Sequence, residues 1–171
     1  AAHDIIQDYP PGEGRNEIES GNWLAAKMEG EFFETEIDWA KIAILATITK
    51  IEGETPEKRR LKQNLPEHVD PLTRFCVQLL CDADLGNLGS DWEIYWRNTL
   101  ALFKEIYPQA TLDNWRDFLN LQIALLQNHR YNTDAGEKLF SEVNRQCNKR
   151  RVEALLRDEE ELKKSLPMSL G

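Results

Sequence analysis

Apolar residues recur at helical rather than alternating spacing along most of this chain, and that period constrains the fold more than any other feature. In residues 16–28, Ile18, Trp23, Leu24 and Ala25 fall near one face; in residues 34–51, Ile37, Ile44, Leu45 and Ile48 keep the same period, widened by Trp39 and Ile42. Residues 72–88 carry Phe75, Leu79, Leu80 and Leu88, residues 91–107 carry Trp92, Tyr95, Trp96, Leu100 and Phe103, and residues 111–128 and 134–156 continue the pattern. Asp70 and Thr111 stand where N-caps belong, with Pro71 at a first helical position. The spacing predicts an all-α fold, a globular helical bundle. Residues 52–71 read as a long polar connection with a short helix near 60–64. Residues 1–156 read as the helical domain and residues 157–171 as a charged C-terminal tail.

At 171 residues the chain is expected to form one domain, and its five Trp and 41% hydrophobic content supply a core. Thirty acidic against 21 basic residues give a net charge of −9. A surface of that sign repels a phosphate backbone and an anionic bilayer, so nucleic-acid polymers and membranes are disfavoured as partners. A local pocket for one small phosphate stays compatible with it. Cys76, Cys81 and Cys147 are odd in number and lack zinc-ligand spacing, which predicts reduced, mostly buried thiols in a cytoplasmic protein.

The residues able to carry chemistry are His3 and Asp4 at the start of the chain, and Asp82 and Asp84 on a helix that is otherwise apolar. A carboxylate among apolar residues needs a counter-charge, a hydrogen-bond partner or a metal. Imidazole and carboxylate together suit Mn, Fe, Co, Ni or Zn, with Mg as the harder alternative. A divalent ion held there acidifies bound water and polarises a phosphoryl oxygen. The competing account has one carboxylate capping or pairing with Arg74 or Arg130 and the other facing water. His68, in the polar connection, is expected to be exposed, and His129 with Arg130 is expected to complement a helix C-terminus as a cation.

Taken in order, His3-Asp4-Ile5-Ile6, Asn16-Glu17 with Ser20, Asp82-Ala83-Asp84-Leu85 with Leu88-Gly89, Tyr131-Asn132-Thr133, and finally Glu142 and Asn148 make a pattern that resembles the HD superfamily. More narrowly, it resembles the predicted metal-dependent HD phosphohydrolases, over residues 1–156. The resemblance implies an all-α HD-type fold, one divalent metal ion as cofactor and a small phosphorylated substrate, possibly a nucleotide. It implies that His3, Asp4 and Asp84 are metal ligands, with Asp82 as a competing ligand or a partner of the ligands. Glu17 or Asp82 would manage protons, and Ser20 would supply a supporting hydrogen bond. Two departures feed an alternative, a catalytically degenerate HD-fold module that binds or regulates. The family's first ligand is a His upstream of the His-Asp pair, which predicts that the biological chain begins before Ala1. The family's His after Ala46-Thr47 is missing here.

Overall fold

The computed structural model describes residues 5–6, 8, 14–55 and 58–167. The fold is all-α apart from one small two-stranded sheet. The chain divides into two compact units, one formed by residues 1–51 with 61–84 and the other by residues 52–60 with 85–171.

In the first unit, α1 (Arg15–Met28) packs on α2 (Glu34–Ala46), and α2 packs on α3 (Pro71–Asp84). Small residues let the first pair approach: Ser20 and Gly21 are buried, and a Cβ on Gly21 would sit 3.8 Å from Ile44 Cγ2. Ala46, Val77 and Cys81 form the centre of this unit's core, with Ile42, Ala43 and Leu65 packed around them. Asp70 caps α3 as its sequence predicts, its Oδ1 accepting from the amides of Leu72 and Thr73, both at 3.0 Å.

Two predictions for this region need correction. The second helix ends at Ala46 rather than running to residue 51, and residues 60–64 are not helical. Instead β1 (Thr49–Glu52) pairs with β2 (Arg60–Gln63). The β-branched run Thr47-Ile48-Thr49 disfavours continuation of the helix, and the Thr47 hydroxyl donates to the Ile44 carbonyl at 2.7 Å, closing the last turn.

The second unit contains a 3-10 turn (Gly86–Gly89), α4 (Trp92–Ile106), α5 (Leu112–Asn128), α6 (Asp134–Leu139), α7 (Glu142–Arg157) and α8 (Glu159–Ser165). Its core is aromatic. Phe103 meets Trp115 at 4.7 Å and Phe118 at 5.3 Å between ring centroids, and Tyr95, Leu119, Val152 and Leu162 are buried with them. The stretch read as a charged tail therefore carries a helix whose Leu162 lies in the core. Thr111 caps α5 as predicted, accepting from the Asn114 amide at 3.1 Å. The last long helix is broken in two at Phe140 and Ser141. A Cβ on Gly86 would come within 2.4 Å of the Phe140 ring and one on Gly89 within 2.6 Å of its backbone, so the Phe140 kink fits only against glycine. Ser141 then caps α7 through the Asn144 amide at 3.3 Å.

Candidate functional site

α1 starts at a fixed point. Gly14 is buried with φ 69°, and a Cβ there would meet Ile48 Cγ2 at 2.9 Å, so both conformation and space select glycine. The first turn then carries Glu17, half-buried, where its negative charge also favours the helix N-terminus. One turn on, Ser20 is fully buried and its Oγ accepts a hydrogen bond from the Ile6 amide at 3.0 Å. Ser20 thus ties α1 to the strand of chain two residues beyond Asp4. His3 and Asp4 themselves lie outside the described residues.

The other half of the candidate site lies at the C-terminal end of α3. Asp82 is 1% exposed and Asp84 is half-buried. Both residues are engaged in polar or electrostatic interactions. The turn that bears them is pinned from two directions: Gln63 of β2 donates to the Cys81 carbonyl at 2.7 Å, and the Cys81 thiol donates to the Ala46 carbonyl at 3.3 Å. Burial pushes the Cys81 thiol up to about 12, helped by the charges of Asp84 and Asp82. The thiol hydrogen is committed to the Ala46 carbonyl, and the turn's acidic side chains are Asp82 and Asp84.

Glu17, Ser20, Asp82 and Asp84 therefore all belong to the first unit. Among the described residues no group of three or more His, Cys, Asp and Glu side chains stands together as a metal cage. The acidic side chains at this end of α3 are a buried carboxylate and a half-buried one two residues on. No family model, no curated protein and no solved structure matches the chain.

The remaining residues of the HD-like pattern sit in the second unit and have structural work there. Thr133 caps α6 through the Gly136 amide at 2.9 Å, and the Tyr131 amide donates to Glu137 Oε1 at 2.9 Å. Asn148 is buried and its Nδ2 donates to the Ser90 carbonyl at 2.9 Å, beside Asn144, whose Nδ2 donates to the Gly89 carbonyl at 3.1 Å. Glu142 pairs with Arg145, a residue the sequence did not single out. Arg145 is 1% exposed, donates to the His129 carbonyl, lies 3.5 Å from Glu137 and stands 5.5 Å over the Tyr131 ring. Its only sequence signal is a carboxylate three residues before it on the same helix.

His68 is exposed, as expected. His129 stands at the C-terminal end of α5 with Arg130 beside it. It is 3% exposed, edge-on to Tyr131 at 4.8 Å, and the cations at this end of α5 are Arg130, which donates to the Gln127 and His129 carbonyls, and Arg145. The thiols depart from expectation: Cys76 and Cys147 are exposed and only Cys81 is buried, while all three are free.

Proposed function

We propose that this chain is a metal-dependent phosphohydrolase of the HD type, acting on a small phosphorylated compound, with nucleotides among the candidate substrates. One observation carries most of the reading. Asp82 is a carboxylate at 1% exposure, on a turn that Gln63 and Ala46 hold in place, with Asp84 two residues away and Glu17 and Ser20 in the same unit. Burying that much negative charge is costly unless a cation or a hydrogen-bond network compensates it. The order of His3-Asp4, Asn16-Glu17, Ser20 and Asp82-Ala83-Asp84 in the sequence adds the HD-type resemblance.

On this reading His3, Asp4 and Asp84 hold one divalent ion through imidazole nitrogen and carboxylate oxygen. A bound ion supplies an acidified water and a polarised phosphoryl oxygen. Asp82, fixed by its turn, accepts a proton or orients that water, and Glu17 serves as the second proton-handling group. Ser20 keeps the segment after Asp4 in register. No helix among the described residues is long and apolar enough to cross a membrane.

The test is hydrolysis of a panel of phosphate esters, nucleoside monophosphates included, in Mn2+ or Mg2+. Activity is expected to vanish in Asp84→Ala and to fall in Glu17→Gln, with circular dichroism unchanged. Turnover that survives Asp84→Ala, or saturable nucleotide binding without turnover, overturns the proposal; the second result would favour the binding module.

A further inference from the structure

α4 has two faces. Tyr95, Thr99 and Phe103 are buried in the core of the second unit. On the outward side, Glu93, Arg97, Leu100 and Lys104 recur at steps of four, three and four residues, which is the spacing of a helix-to-helix seam. Trp96 and Ala101 flank that seam, and these six residues border an open groove of 600 Å³. Trp96 cannot fold away to fill it, since its ring is stacked on Trp92 with centroids 5.0 Å apart and planes at 16°.

The charges on this strip are unused. Glu93, Arg97 and Lys104 are exposed, and among the described residues none of the three has an ion-pair partner. They are also segregated, with the negative charge at the N-terminal end of the strip and the positive ones further along. A strip with opposite signs at its two ends complements itself when a second strip lies against it head to tail.

We propose that this face of α4 is a docking surface for a second copy of the chain, with the two helices antiparallel about a two-fold axis. The residue spacing fits that symmetry without adjustment. Glu93 falls opposite the partner's Lys104, Arg97 opposite the partner's Leu100, and Trp96 opposite the partner's Ala101, each relation occurring twice as an isologous interface requires. The largest side chain of the strip meets its smallest, which suits interdigitation. The Arg97 methylenes cover leucine while the guanidinium stays in water. A parallel arrangement would set Glu93 against Glu93 and Lys104 against Lys104, and like charges in contact disfavour it. The inference stands apart from the proposed chemistry, whose residues all belong to the other unit.

Sedimentation velocity on the full chain across a range of concentrations, at fixed ionic strength, tests it. A concentration-dependent monomer–dimer equilibrium is expected. Glu93→Lys and Lys104→Glu, each alone, turn two attractive pairs into repulsive ones and should weaken association roughly tenfold. The double variant, Glu93→Lys with Lys104→Glu, restores the pairs with signs exchanged and should dimerise like the parent. Both substitutions are at exposed positions, so folding is not at issue. A monomer at every concentration, a dimer indifferent to the single substitutions, or a double variant no better than either single one overturns the proposal.

Discussion

Replacing Ser20 by alanine removes a hydrogen bond between α1 and Ile6, in the segment that follows Asp4. The Ser20 hydroxyl is fully buried and accepts from the Ile6 amide at 3.0 Å. A hydrogen bond of this type contributes about 1 kcal/mol net. Ile6 is only half-buried, so its freed amide can find water, and the larger penalty for an unsatisfied buried donor does not apply. The melting temperature should therefore fall by only about 2–4 °C. On the proposed reading, in which His3 and Asp4 are metal ligands, the functional effect should be sharper, because the same energy would bear on the metal site. About 1 kcal/mol corresponds to roughly a fivefold loss of Mn2+ affinity, measured by calorimetric titration. Activity at saturating Mn2+ should be unchanged, since no group that handles protons is altered. Hydrogen exchange at the Ile6 amide reports the bond itself. If that amide loses protection in Ser20→Ala while Mn2+ affinity stays at the parent value, the segment after Asp4 does not govern a metal site and the reasoning fails.

Arg145→Ala should destabilise the fold by about 2 kcal/mol in urea unfolding, because it removes a buried guanidinium, leaves the His129 carbonyl with Arg130 as its donor and takes away the cation over Tyr131. A larger loss is not expected, since the carboxylates it leaves behind, Glu142 and Glu137, are 53% and 36% exposed and can be solvated. A change below about 1 kcal/mol would mean that the arginine cluster holds nothing together. Glu142 should also shape acid stability. Burial pushes its carboxyl up, but hydrogen bonds from Gln146 and Arg145 and the charges of Arg145 and Arg130 outweigh this, so it titrates below its ordinary 4.5. A depressed folded-state value stabilises the protein above the unfolded-state value, and that contribution is lost as pH falls through the folded one. Unfolding free energy should accordingly decline less steeply below about pH 4.5 in Glu142→Gln than in the parent; identical slopes would contradict it.

The helices were legible because a 3.6-residue period survives over several turns and because Asp70 and Thr111 announce their caps. β1 was not: four residues with Lys50 and Ile51 exposed and both ends half-buried give no alternation to read. Nor was the break at Phe140, which continues the apolar period; what decides it is the missing side chains of Gly86 and Gly89, some fifty residues away. Asp82 stood out as a carboxylate among apolar residues, and its burial follows from that setting. Arg145 did not, since it sits on a strongly polar helix beside Lys149, Arg150 and Arg151, where one buried guanidinium looks like any other cation. Gln63, which pins the turn before Asp82, was hidden in a polar stretch read as connection. His3 and Asp4 were singled out by chemistry and motif order, and as they lie outside the described residues they rest on that reasoning still.

The most direct test of a metal held by the start of the chain and by α3 is elemental analysis of the purified protein after exposure to Mn2+ and removal of free ion. The account predicts about one divalent ion per chain, as a mononuclear hydrolytic site requires, with the content lost in both Asp84→Ala and His3→Ala. A parent protein that retains no ion, or an ion content that neither substitution changes, would contradict it.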